Sequence, residues 1–134
     1  MSSLSAFLHP EQVSNREVIV SERFKENGKP VPFVIRPITQ KENEELIRQH
    51  TKKSKKNGEE AFDRVAYNQA LTAAAVVEPD LQNAELQKAY GVLGSAKLLA
   101  EMLYIGEFAA LMQAVQEISG LDVDINEDIE EAKN

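Results

Sequence analysis

The sequence predicts an α+β fold, an N-terminal β-hairpin or small antiparallel sheet packed on a C-terminal helical bundle. Three observations lead there. Residues Glu17 to Phe24 and Val31 to Pro37 are β-branched, alternating runs separated by the turn dipeptide Asn27-Gly28. From Thr39 onward, apolar residues recur at helical spacing, and Gly and Pro punctuate them at Pro79, Gly91, Gly106 and Gly120. The 134 residues are 43% hydrophobic and 28% charged, enough for one domain with a real core and too apolar for wholesale disorder.

The elements follow in order. Residues 1–15 form an arm in which Leu4, Phe7 and Leu8 share a side of one short turn before Pro10. Residues 16–38 form the hairpin, with Val18, Val20 and Phe24 on one face and Ile19, Ser21 and Arg23 on the other. The spacer KENGKP is longer than a two-residue loop, so a bulged or wider turn is expected. Pro32 has no N–H for a ladder, which suits an edge strand and discourages stray pairing. Pro37 closes that strand and biases Arg36 to extended backbone.

Residues 39–53 read as a charged helix. Thr39 and Glu42 stand at the spacing of a capping box, and Leu46 and Ile47 are its few apolar anchors. Residues 54–60 continue the tract KKSKKNGEE as a flexible basic loop. It reads as a helix end and a solvated loop; a phosphate- or partner-binding loop is the other reading, but no aromatic or glycine-rich cradle accompanies the lysines.

Residues 61–120 form the helical bundle. Its first helix is expected to run to Pro79, becoming apolar all round from Ala70 to Val77. Asn83 caps the next helix and Ser95 the one after, whose face is Leu98, Leu99, Met102 and Leu103. Phe108, Leu111, Met112, Val115 and Ile118 make a last stripe, read as core ahead of a partner groove.

Residues 121–134 are an acidic tail. Asp122, Asp124, Asn126 and Asp128 alternate as in an EF-hand loop, but Glu127 stands where the sharp turn requires glycine, and Lys133 where the bidentate glutamate belongs. Calcium is therefore not expected. Leu121, Val123 and Ile125 alternate instead as a strand that adds to a sheet or docks on a partner.

Chemistry is otherwise sparse. There is no cysteine, and His9 and His50 fit no metal-ligand or nucleophile–base spacing. His50 is expected to meet helix-end carbonyls. No catalytic residue, cofactor or metal site is expected. The net charge of −7, from 22 acidic and 15 basic residues, opposes phosphate backbones, so nucleic acid is not an expected partner. No apolar run reaches membrane-spanning length and no signal-peptide pattern opens the chain, so a cytoplasmic protein without a membrane partner is expected.

The blocks SERFKENGKPVPFVIRPITQKENEEL and AAAVVEPDLQNAELQKAYGVLGSAKLLAEMLYIGEFAALMQAVQEISG, in this order and before EEAKN, resemble the XkdN-like tail assembly chaperones of long-tailed phages and prophages. The resemblance implies a non-enzymatic role in the bacterial host cytoplasm. The implied partner is the tape measure protein, kept soluble until tail tube subunits polymerise around it. The tail tube protein is a second implied partner, and self-association stays open. A small structural component of the tail or head–tail connector is the alternative. The expected contact residues are Phe33 and Ile35 on the edge strand, and Leu121, Val123 and Ile125.

Overall fold

A computed structural model describes residues 3–121. It has the expected α+β character, with antiparallel strands in the N-terminal part and helices beyond. The elements are α1 (Leu4–Leu8), β1 (Arg16–Val18), β2 (Lys25–Glu26), β3 (Lys29–Pro30), β4 (Phe33–Ile35), α2 (Gln40–Gln49), β5 (Thr51–Lys53), β6 (Glu60–Phe62), α3 (Arg64–Ala75), β7 (Val76–Glu78), α4 (Ala84–Ala89), α5 (Ser95–Met102) and α6 (Ile105–Ile118).

The main sheet has the order β1-β4-β7, all antiparallel. Arg16 pairs with Ile35 and Val18 with Phe33 on one side of β4; Val34 pairs with Glu78 and Ile35 with Val76 on the other, across a register shift between Val34 and Ile35. The strand expected at an edge is thus central. The prolines bracket it: Pro32 precedes β4 and Pro37 follows it, so Phe33, Val34 and Ile35 keep their N–H groups.

The third strand, β7, is the element that helical periodicity concealed. The helix ends at Ala75, before the expected stop. Val76 and Val77 are β-branched and stiff at χ1, and Pro79 disfavours helical backbone at Glu78. The backbone N–H of Arg36 reaches the Ala75 carbonyl at 2.8 Å, tying the helix end to the sheet.

The turn at Asn27 and Gly28 is tighter than expected. Both take positive φ, 53° and 77°, and close a tight two-residue turn between β2 and β3. The extra spacer residues pair as those two short strands, Lys25 with Pro30 and Glu26 with Lys29, so no wider loop is needed. Val18, Val20 and Phe24 do pack on the core together, and Phe24 meets Phe33 edge-on at 5.7 Å.

Helix α2 starts as its capping box dictates. Thr39 Oγ1 accepts the Glu42 N–H at 3.2 Å, and Glu42 Oε1 accepts the Thr39 N–H at 3.1 Å. Arg36 adds a bidentate clamp on Glu42 at 2.6 and 3.1 Å. The helix stops at Gln49, earlier than expected, and His50 Nδ1 contacts the Leu46 carbonyl at 2.7 Å. Residues 51–53, expected to be helical, instead pair with residues 60–62 as the hairpin β5–β6, with Thr51 opposite Phe62 and Lys53 opposite Glu60, and residues 54–59 connect the two strands as a loop.

The core lies between β4 and the helices. It comprises Phe33 and Ile35, Ala73 and Ala75 of α3, Leu81, Leu98, Leu99 and Met102 of α5, Leu103, and Leu111, Ala114, Val115 and Ile118 of α6. Of the α6 stripe, Leu111, Val115 and Ile118 are core as read and Phe108 packs against them, while Met112 is half-buried outside that cluster. The small Ala73 and Ala75 let α3 lie close along α5. Buried Thr72 spends its hydroxyl on the Asn68 carbonyl at 2.8 Å, so no polar group is stranded there. Asn83 caps α4 through the Leu86 N–H at 2.9 Å. Ser95 is instead the first residue of α5, with Gly94 at the cap at φ 103°, a conformation that suits a residue without Cβ.

Two outcomes test this packing. Leu98→Ala, at a fully buried position, should lower unfolding free energy by about 2–5 kcal/mol, whereas Leu93→Ala, at an 85% exposed position, should change it by no more than about 0.5 kcal/mol in urea titrations. The Arg36 clamp and the Thr39 N–H hold the Glu42 carboxyl at about 2, below its ordinary 4.5. Because the folded value is the lower one, its contribution is present above pH 4.5 and lost as pH falls toward 2. Glu42→Ala should therefore cost about 1 kcal/mol at neutral pH, and the gap from wild type should narrow between pH 4.5 and 2.

Candidate protein-interaction surfaces

The residues expected to meet a partner divide sharply. Phe33 and Ile35 are 2% and 0% exposed, because alternation along a central strand turns both toward the helices. Their side chains fill the core. Leu121 is 69% exposed and lies just past the end of α6. It borders a groove lined by Ile38, Asn43, Leu71, Val115 and Ser119. One wall of the groove is fixed by the Ser119 hydroxyl, which accepts the Ile38 N–H at 3.0 Å; α2 is joined to α3 by a hydrogen bond from the Tyr67 hydroxyl to Asn43 Oδ1. Val123, Ile125 and the EF-hand-like spacing lie outside the described residues.

Other exposed apolar side chains were not named as contact residues by the sequence reading. Ile105 is 92% exposed, Leu93 85% and Phe7 79%, with Tyr104, Leu8 and Val13 also exposed. Ile105 and Leu93 stand beside helix starts, where the chain reverses and periodicity says little about facing. In α1 the expected shared side of Leu4, Phe7 and Leu8 is present, and none of its residues is buried.

Arg23 organises the region next to Tyr104. Its guanidinium forms a fork on Glu107 at 2.9 and 2.5 Å, donates to the Met102 carbonyl at 3.0 Å, and lies over the rings of Phe24 and Tyr104 at 5.0 and 4.4 Å. Glu107 also accepts the Tyr104 N–H at 2.8 Å, at the start of α6. Hydrogen bonding from Arg23, then from Ser21 and the Tyr104 backbone, holds the Glu107 carboxyl at about 2. Arg23 therefore ties the segment before β2 to the α5–α6 junction and fixes the pose of Tyr104. Sequence offered no signal for it, since the partners are 84 residues apart.

No described helix is long and apolar enough to cross a membrane. Among the described residues, no group of three or more His, Asp or Glu side chains converges as a metal site would require.

The Arg23 arrangement yields a test. Arg23→Ala and Glu107→Gln should each lower the urea midpoint, and the double variant should be no worse than the more damaging single one. Arg23→Lys should fail to restore wild-type behaviour, because an ammonium supplies neither the planar fork nor the stacking.

Comparison with known proteins places these surfaces in a family. The profile described as phage XkdN-like tail assembly chaperone protein matches residues 4–133. The chain is 28% identical over 138 residues to phage-like element PBSX protein XkdN of Bacillus subtilis (strain 168), covering 98% of this chain and 93% of that one. It is 31% identical over 136 residues to protein YqbN of the same organism, covering 96% and 91% respectively. The crystal structure of protein YqbN superposes with a TM-score of 0.75 at 25% identity, covering 91% of this chain and 99% of the other. A match along nearly the whole length, joined to the shared fold, is decisive: the chain belongs to the phage XkdN-like tail assembly chaperones.

Proposed function

We propose that this protein binds the tape measure protein during tail assembly and keeps it soluble until the tail tube forms around it, without catalysing a reaction. The observation that carries this reading is the family match over residues 4–133. The surface is consistent with it. A tape measure protein is a long chain whose apolar helical stripes are uncovered before assembly, and such stripes aggregate unless something covers them. Exposed Phe7, Leu93, Tyr104, Ile105 and Leu121 supply apolar contact, and Val123 and Ile125 extend the apolar pattern beyond Leu121. The net charge of −7 keeps a complex with a sticky client dispersed. Phe33 and Ile35 are core and form no part of that surface. The site of action on this reading is the cytoplasm of the bacterial host, where tails are built.

Co-expression with the tape measure protein of the same phage or prophage should raise the client's soluble yield and allow the two to be copurified. A Phe7→Ser, Leu93→Ser, Ile105→Ser variant, whose changes are all at exposed positions, should fold normally by circular dichroism and lose most of that effect. No gain in client solubility and no copurification would refute the reading. Stoichiometric retention of the protein in purified particles would favour a structural tail component instead.

A further inference from the structure

The hairpin β5–β6 carries a charge that the rest of the described chain does not neutralise. Residues 52–58 hold Lys52, Lys53, Lys55 and Lys56 and no acid; Glu59 and Glu60 on the returning side offset only part of this, four bases against two acids, and every residue from 52 to 65 is exposed. Among the described residues the three ion pairs all use arginine: Arg16 with Glu117, Arg23 with Glu107 and Arg36 with Glu42. None of the four hairpin lysines takes part. A protein with seven more acids than bases thus raises a cationic finger on an otherwise acidic surface.

The finger has a defined shape. Its ladder runs from His50, whose carbonyl accepts the Asp63 N–H at 2.8 Å, to Ser54, whose N–H donates to the Glu59 carbonyl at 2.7 Å. Asn57 Oδ1 accepts the Glu59 N–H at 3.0 Å and closes the tip. At the base, Phe62 meets Tyr67 in a tilted ring contact at 5.2 Å and Arg64 covers Phe62 at 5.8 Å. Among the described residues the sheet has these two strands, so neither outer edge has a strand partner there, and both present backbone donors and acceptors beside the lysines.

The complementary chemistry is written in the same chain. Residues 122–134 carry Asp122, Asp124, Glu127, Asp128, Glu130 and Glu131 against Lys133, with Val123 and Ile125 alternating between the first acids. Such a segment matches a sheet edge in its apolar alternation and a lysine cluster in its charge. Reach is sufficient. Leu121 borders the same groove as Thr39, Gln40 and Asn43 at the start of α2, and the hairpin leaves the other end of that helix. Ten helical residues span about 15 Å, while thirteen extended ones reach about 43 Å. Tethering raises the local concentration to the millimolar range, which favours the chain's own segment over that of a second copy.

We propose that the β5–β6 hairpin is a docking site for an acidic, strand-like segment, and that its resident occupant is residues 122–134 of the same molecule. The proposal does not depend on the identity of the client, although a docked segment withholds Val123 and Ile125 from it.

The chain has no cysteine, so Asn134→Cys provides a single attachment point for a nitroxide. In the otherwise full-length protein at about 10 mM salt, amide resonances of residues 52–61 should broaden, and the broadening should vanish at about 1 M salt, where screening shortens to about 3 Å. Replacing Lys52, Lys53, Lys55 and Lys56 with Gln should abolish it. Replacing the six acids of 122–134 with Asn or Gln should do the same while leaving the hairpin intact. Absence of broadening at low salt, or persistence in either neutralised variant, overturns the proposal. So does broadening in a mixture of nitroxide-labelled, isotope-free protein with unlabelled, isotope-enriched protein, since that places the occupant on another copy.

Discussion

The strand β4 is the constraint on which the rest of the molecule depends. It pairs on both sides, all three residues with β1 from the preceding chain and Val34 and Ile35 also with β7 from beyond α3. Its two inward side chains, Phe33 and Ile35, enter the cluster built by α3, α5 and α6. Backbone pairing and apolar burial thus meet in one short segment. The strand is also where parts distant in sequence are joined, so its position fixes how the arm side, α2 and the bundle lie around a common core. A contact residue here would lose more in the fold than it gained on a partner, which is why burial and not recognition claims these side chains.

Around that apolar centre, polar contacts set angles more than they add stability. Arg36 and Ser119 hold the chain at the entrance to α2, from its sheet side and from the end of α6. Arg23 holds the α5–α6 junction against the segment before β2, and Arg16 reaches Glu117 at 3.1 Å. Exposed ion pairs of this kind are individually weak. Their consequence is geometric: Tyr104, Ile105 and Leu121 are presented from fixed backbone, which suits a surface that must meet a partner without first ordering itself. Protein recognition of that kind agrees with membership in a family of tail assembly chaperones.

Local chemistry was legible where it depends on neighbours in sequence. Thr39 with Glu42, Asn83 before its helix, His50 at the helix end and the positive φ of Asn27-Gly28 all act within a few residues. The α5 and α6 stripes were equally plain, because a 3.6-residue period survives in the sequence whatever packs against it. The misreadings share a different cause. Val76 and Val77 continue an apolar run from an alanine-rich helix, and only pairing with Val34 and Ile35 makes them a strand. Lys52 and Lys53 read as a helix end because the strand that pairs with them, Glu60–Phe62, carries little apolar alternation. Pro32 suggested an edge, yet it lies one residue outside the ladder and says nothing about which strands flank β4.

By itself, then, the sequence determined the α+β composition, the starts of α2 and α4, the apolar faces of the last two helices, the absence of thiol chemistry and, through the order of its blocks, the family. Those properties are set by residue type and short-range spacing. Only the tertiary structure decided that β4 is central, that Phe33 and Ile35 are core, that Arg23 finds Glu107, and that the lysine tract is a paired hairpin standing apart from every ion pair in the described chain. Each of these joins elements through strand pairing, burial or a charge partner, and for β4 and Arg23 that partner lies far along the chain. Sequence periodicity records which face of an element is apolar; it carries no record of what that face, or that edge, will meet.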